Sequence, residues 1–368
     1  MTVTAKQITS SLAADGTLTV ALKDQQLPDP QGFEILVRIE AAPINPSDLA
    51  LLFGAADLAN AEFSPGKVVA NLPAAAMIAF SGRVGEAMPV GNEGAGTVIA
   101  AGSEVYAQSL MGKRVSCSSG GMYASHVITD ARRCMPLPDG VTAEQGAAAF
   151  VNPFTALGFV QTMRKHGFTG LIHTAAASNL GQMLVKLCAE EGIPLVNVVR
   201  SAEQVAILKA IGAEYVINSS DEDFFAQLVE AIAATGAMMA FDAIGGGKMA
   251  ATLLTAMEAV ASNGAPYSRY GSDVPKQVYI YGMLDTGPTI LKRTFGFTWG
   301  VNGWLLMPFL ASVGAAGVAA MSQRVMSGLT NTFASHYKAQ VSLEQMLTRD
   351  AALAYNAKAT GEKYLVVP

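Results

Sequence analysis

Charge and cysteine are scarce in this chain. Of 368 residues, 14% are charged against 51% hydrophobic, and there are three cysteines, four histidines and two tryptophans. With 24 Lys and Arg against 29 Asp and Glu, and no basic cluster, the sequence lacks the electrostatic footprint of a nucleic-acid binder, and nucleic acid is excluded as a partner. Cys117, Cys134 and Cys188 are too few and too widely spaced for a disulfide framework or a zinc knuckle, which fits a reduced, cytoplasmic setting. His126, His166, His173 and His336 show no metal-ligand spacing, and no Ser-His-Asp or paired-carboxylate arrangement stands out. Asp242 and Glu93 read as isolated structural acids at turns, and His173 as a core histidine. The opening MTVTAKQITS has neither a basic start nor an apolar core, so no secretory signal is expected. One uncharged run, Phe295 to Met321, is long enough to cross a bilayer. Pro308, Asn302 and the glycines inside it, and the lack of a second such run, favour a buried helix plus a subunit-interface strand over a membrane span. So little charge leaves apolar surface to be shared, and a homodimer is expected.

What is present changes character near residue 150. Before it the text is strand-like and turn-rich: Thr17 to Leu22 and Glu34 to Glu40 alternate with period two, and Gly96 to Ala101 and Lys113 to Cys117 read as further strands. An antiparallel, barrel-like domain over 1–150 is predicted, with residues 55–90 as a long, lid-like loop holding a short helix. After it, strands at 215–218, 237–242 and 277–282 alternate with helices at 202–211, 221–234 and 248–261. That order predicts an α/β fold with a doubly wound parallel sheet over 151–302. Residues 303–368 are expected to return to the first domain and end in a turn and a strand.

Residues 171–200 carry the most chemical information. Leu171 to Thr174 suits a buried parallel strand, Ala175 to Gly181 a close-approach turn, Gln182 to Glu190 a helix, and Leu195 to Val199 a second strand. Ala176, Ser178 and Gly181 stand where the dinucleotide fingerprint G-x-G-x-x-G has three glycines. Asn179 tolerates a left-handed backbone and is the residue expected to make the turn. The backbone of 176–181, Leu180 included, would face a pyrophosphate, assisted by the helix dipole. Arg200 stands where an NAD-preferring protein places an acid against the ribose 2′-hydroxyl; a guanidinium there favours a 2′-phosphate, hence NADPH. Tyr281-Gly282-Met283 and Gly245-Gly246-Gly247 fall at carboxyl ends of predicted strands, where ligands bind in open α/β sheets.

Three further segments, Ala41-Ala-Pro-Ile-Asn-Pro-Ser-Asp48, Gly91-Asn-Glu-Gly-Ala-Gly96 and Val151-Asn-Pro-Phe-Thr-Ala156, together with 171–200, resemble the medium-chain dehydrogenase/reductase superfamily. Within it they are most similar to the zinc-independent branch, the mitochondrial-type 2-enoyl thioester reductases and NADPH:quinone oxidoreductases. The resemblance covers essentially the whole chain. It implies a GroES-like substrate domain, a Rossmann cofactor domain, a site in the cleft between them, and hydride transfer from NADPH to an α,β-unsaturated carbonyl compound or a quinone. Zinc-dependent relatives use Cys and His where this chain has Asn45 and Asn92, and amides are poor zinc ligands, so no metal is expected.

The same resemblance places Asn45, Asn152 and Thr155 near the nicotinamide. Asn45 would orient the ring or the substrate oxygen, the alternative being a turn-stabilising role; for Asn152 and Thr155 the alternative is a helix cap. Enoyl thioester reductases carry a proton-donating Tyr at about position 56, which is Ala here. Either another group replaces it, with Tyr270, Tyr267 and Tyr123 as candidates, or the substrate takes its proton from water. An enoyl thioester reductase with a replaced donor and a non-catalytic NADPH-binding sensor or subunit remain alternatives.

Overall fold

A computed structural model describes residues 3–361 and 363–368; Met1, Thr2 and Glu362, the last within the predicted C-terminal turn, lie outside the described residues. The chain divides into two compact units, Met1–Val151 with Arg324–Pro368, and Asn152–Gln323.

The first unit runs β1 (Val3–Leu12), β2 (Thr17–Leu27), β3 (Glu34–Pro43), α1 (Pro46–Leu52), β4 (Glu62–Ser64), β5 (Lys67–Asn71), α2 (Ala74–Phe80), β6 (Ala87–Pro89), β7 (Gly94–Ala101), α3 (Val105–Ser109), β8 (Arg114–Cys117), β9 (His126–Asp130), β10 (Cys134–Pro136) and α4 (Ala143–Gly146). One sheet has the order β4-β5-β2-β1-β6, with antiparallel pairing. Residues 55–90 are therefore not a long loop. Of three short strands in them, β5 pairs with β2, β6 with β1 and β4 with β5, an outcome set by pairing across the sheet that local periodicity does not carry. Alternate residues Ile8, Leu12, Leu18, Val20, Ile35, Val37 and Ile39 face one shared core. Cys117 and Cys134, far apart in sequence, are register partners on β8 and β10 with sulfurs 3.2 Å apart, and both are free thiols.

The chain continues with α5 (Val151–Lys165), β11 (Leu171–Thr174), α6 (Asn179–Glu190), β12 (Leu195–Val199), α7 (Ala202–Ala210), β13 (Tyr215–Asn218), α8 (Phe224–Thr235), β14 (Met239–Asp242), β15 (Gly245–Gly247), α9 (Met249–Ala261), β16 (Lys276–Ile280), β17 (Asp285–Thr289), β18 (Trp299–Gly303) and α10 (Leu306–Gly328). The second unit's main sheet is wholly parallel, in the order β13-β12-β11-β14-β16-β18. β11, β12 and β14 are buried at every position, as helices on both faces of a parallel sheet require. Strand order reverses between β11 and β14, the switch point at which such sheets bind ligands.

This unit extends past residue 302, the boundary read from sequence, because β18 pairs with β16 and the Trp304 indole nitrogen donates to Thr162 on α5 at 3.1 Å. The uncharged run does form a strand and a helix, yet the helix is not buried as expected. Only 11% of the most apolar window of α10 is buried within this chain, and Leu305 and Met307 just before and within it are 66% and 62% exposed. After α10 the chain rejoins the first unit through β19 (Ala339–Val341), α11 (Arg349–Asn356) and β20 (Tyr364–Val366). β20 pairs antiparallel with β3, completing the order β10-β8-β7-β3-β20-β19 with β9 also on β3.

Candidate active site

In the second unit, the turn from β11 into α6 is built for close approach. A Cβ placed on Gly181 would lie 2.0 Å from the Ala176 carbonyl oxygen, so no other residue fits there. Ser178 caps α6, its Oγ accepting the Gly181 amide at 3.2 Å. The left-handed position is Ala175, with φ 50°, not Asn179, which is the first helical residue. The cap explains the difference: Ser178 must be extended to reach forward to Gly181, so the chain reverses before it. Ala176 is fully buried and Leu180 is 8% exposed; only their backbone can serve a ligand. Arg200 follows β12 and is exposed; its amide donates to Gln204 Oε1 and its carbonyl accepts from Ser220 Oγ, which fix the backbone and leave the guanidinium directed by neither bond.

Around the carboxyl ends of β14 and β16 lies a second group from the same unit. Asp242 is fully buried and accepts from the Thr174 hydroxyl and from the amides of Ile244 and Gly245, so it holds the loop after β14, a structural role. Gly282 admits no side chain, since a Cβ would meet the Ala243 oxygen at 2.6 Å, and Met283 is 71% exposed. Tyr281 is half-buried, and its hydroxyl lies 2.7 Å from His173 Nε2. Burial draws the His173 pKa down to about 3, while burial, with Asp242 adding to it, pushes the Tyr281 phenol up. Asn152 and Thr155 stand in the first turns of α5, where Thr155 is buried. Tyr270, the candidate proton donor, does not join this group. It and Tyr267 lie in the loop that leads into β16, at the amino edge of the sheet, and are 57% and 93% exposed; Arg269 stacks over the Tyr270 ring. A cavity of about 580 Å³ opens at that same edge, between Thr169, Gly236, Pro275 and Trp299, away from the strand ends where chemistry is placed in parallel sheets.

In the first unit, Asn45 precedes α1 and is 1% exposed. Its Nδ2 donates to Glu93 Oε1 at 2.8 Å, and its backbone amide to Asp48 Oδ2 at 2.8 Å. The Asp48 amide is taken by the Asn45 backbone carbonyl, leaving Asn45 Oδ1 buried without a hydrogen-bond partner. Asn45 thus presents an acceptor. That oxygen can receive an amide or hydroxyl hydrogen. Glu93 is no isolated turn acid: its Oε2 accepts the amides of Phe150 and Val151, each at 2.9 Å. Asp48 also accepts the Asn92 amide at 2.8 Å. Burial raises the Asp48 pKa to about 7 despite the two amides, and raises that of Glu93. Lys363, delivered by the last strand, has a buried, unbonded Nζ; burial lowers its pKa to about 8, with Glu93 and Asp48 pulling the other way. Tyr123 is fully buried, its hydroxyl donating to the Pro43 carbonyl at 3.2 Å, and burial beside Asp48 raises its pKa far above the free phenol. A phenol so held is a packing group, not a proton donor. Sequence inspection missed Asp48, although its spacing after Asn45 is that of a capping box, and missed Lys363, which carries no local signal.

The Asn45 and Asn92 side chains do not suit zinc. An amide offers zinc only a neutral oxygen, a poor ligand beside thiolate, imidazole or carboxylate, and the buried Lys363 ammonium faces the neighbouring carboxylates Glu93 and Asp48. Among the described residues no group of three His, Cys, Asp or Glu side chains is placed to hold a metal.

Residues 31–139 match the family model of the alcohol dehydrogenase GroES-like domain, and residues 179–292 that of the zinc-binding dehydrogenase. The human mitochondrial enoyl-[acyl-carrier-protein] reductase is 28% identical over 213 residues, covering 56% of this chain and 51% of that protein. A quinone oxidoreductase of Pseudomonas aeruginosa is 30% identical over 160 residues, 42% of this chain and 49% of that protein. The chain spans about half the length of these curated relatives. A solved structure assigned as an NADPH:quinone reductase from Mesorhizobium loti superposes over 100% of both chains with TM-score 0.75 at 26% identity. The complex of Etr1p with NADP and crotonyl-CoA does so with TM-score 0.70 at 20% identity, a likeness of fold.

Proposed function

Since the chain belongs to the medium-chain dehydrogenase/reductase superfamily, with a GroES-like domain and a Rossmann-type parallel sheet, we propose that it is an NADPH-dependent, zinc-free reductase of α,β-unsaturated carbonyl compounds or quinones. The observation that carries this reading is the turn at 175–181, closed by Gly181 against Ala176 and followed at the end of β12 by Arg200. When bound, NADPH supplies the hydride. The first turn of α6 would receive the pyrophosphate, where backbone and dipole both favour an anion, and Arg200 the 2′-phosphate. Asn45 would accept a ligand N–H or O–H, held in that orientation by Glu93.

With alanine at position 56, packed against the first unit's core, no phenol stands where the resemblance expects one. That favours an acceptor protonated from water, a quinone or simple enone, over an enoyl thioester. The enoyl thioester remains the second reading because of the curated relatives.

The cofactor assignment is tested by measuring NADPH and NADH binding to wild type and to Arg200→Ala by fluorescence titration. Loss of a charge-assisted contact of about 1.5–3 kcal/mol should weaken NADPH about 10- to 100-fold and leave NADH unchanged. An Arg200→Ala protein that keeps its preference for NADPH would remove Arg200 from the reading.

A further inference from the structure

The His173–Tyr281 pair carries two hydrogens and makes one hydrogen bond, so one of the two has no acceptor within the pair. An uncharged imidazole carries a single N–H, on Nδ1 or Nε2, and the phenol carries one O–H. Between them the structure shows one hydrogen bond, of 2.7 Å, while His173 Nδ1 is buried with no partner. If the phenol donated to Nε2, the imidazole hydrogen would sit on Nδ1, a donor orphaned in a core packed by Phe159. Orphaned buried donors are rarer than bare acceptors, because nothing replaces the water they lose. The reverse arrangement puts N–H on Nε2, donating to Tyr281 Oη, and leaves only a bare lone pair at Nδ1. The phenol hydrogen is then the one without an acceptor in the protein, on a residue that is half-buried just beyond β16.

That location points to what receives it. Arg200 follows β12, on one side of the switch point; Tyr281 follows β16, on the other side, two strands beyond β11. A dinucleotide with its 2′-phosphate on Arg200 and its pyrophosphate at the α6 turn has its far end over β14 and β16. We propose that His173 is a positioning residue, which donates from Nε2 to Tyr281 Oη and so commits the Tyr281 hydroxyl hydrogen to the carboxamide oxygen of a bound nicotinamide. This rests on the NADPH reading above. The Phe159 ring, edge-on to Tyr281 at 4.8 Å, and the near-parallel His173 ring at 5.7 Å fix the phenol in place.

Two measurements test it without relying on turnover. In the protein free of ligand, nitrogen-15 spectra of labelled histidine should show His173 as the Nε2–H tautomer throughout neutral pH; an Nδ1–H tautomer overturns the proposal. Binding is then compared for NADPH and for 2′-phospho-ADP-ribose, which lacks the nicotinamide. Tyr281→Phe and His173→Leu should each weaken NADPH about 5- to 10-fold, one hydrogen bond's worth, and leave 2′-phospho-ADP-ribose unchanged. His173→Gln, whose amide can still donate, should restore NADPH binding. Equal losses for both ligands would mark a structural role and overturn the assignment. A wild type that binds neither ligand defeats the NADPH reading instead, and with it the carboxamide as acceptor, while the tautomer still decides which way the His173–Tyr281 bond runs.

Discussion

Gly181→Ala should abolish dinucleotide binding, with NADPH affinity reduced by about 100-fold or more. A methyl at this position meets not a side-chain tip that can swing away but main chain: the Ala176 oxygen at 2.0 Å, its carbonyl carbon at 2.6 Å and its Cα at 2.8 Å. Relief requires α6 to withdraw from β11 or the turn to open. Either motion breaks the Ser178 cap on Gly181 and the bond from the Ala176 amide to the Val198 carbonyl, which tie turn, helix and β12 together. Overpacking of this kind destabilises by about 1–3 kcal/mol, so the variant should still fold, with a lower melting temperature and a displaced phosphate site. Titration with NADPH beside a thermal melt reads both effects. Wild-type affinity in Gly181→Ala would mean that the turn is not where the dinucleotide lies.

Glu93→Gln should produce the largest loss of stability, about 3–5 kcal/mol, together with loss of turnover. The carboxylate accepts from three donors: Asn45 Nδ2 and the amides of Phe150 and Val151. A glutamine has one oxygen, so its own amide must face at least one of those donors. The change also takes from the buried Lys363 ammonium one of the two carboxylates that hold its pKa up, and leaving a buried charge less compensated adds to the loss. The sign with pH follows. Lys363 has a folded pKa of about 8 against an ordinary 10.5, so stability rises with pH between those values, where the unfolded chain binds the extra proton. Without Glu93 the folded pKa falls further and that window opens lower. The deficit of Glu93→Gln relative to wild type should therefore be smaller at pH about 9 than at neutrality. Chemical denaturation at both pH values checks this, and a pH-independent deficit would separate Lys363 from Glu93.

How much of this was legible in the sequence differs by element. The alternation of strands and helices from 171 to 261 was visible because each strand of a parallel sheet buried on both faces is a short continuous apolar run, and each helix keeps its own stop signals. The three strands within 55–90 were not, since they are three to five residues long and owe their form to pairing with β1, β2 and each other. Sequence alone reads the turn at 175–181 as a candidate phosphate site, and propensity puts its left-handed residue on Asn179. The Ser178 cap moved it to Ala175. Asn45 was singled out for its position in a motif, while the direction of its amide depends on Glu93, 48 residues on, and on the charge of Lys363. His173 and Tyr281 are 108 positions apart, and only the sheet order puts them in one hydrogen bond. Local pattern places the buried parallel strands and their helices; short sheet strands, and which polar atom remains unsatisfied, are decided by partners across the sheet.

The central claim is tested most directly by following NADPH oxidation by chelator-treated protein with three acceptors: a naphthoquinone, a simple enone and crotonyl-CoA. The account predicts turnover of the quinone or the enone by NADPH in preference to NADH, without restoration of zinc, and weaker turnover of the thioester. No oxidation with any of the three, or activity that returns only with added zinc, would contradict it.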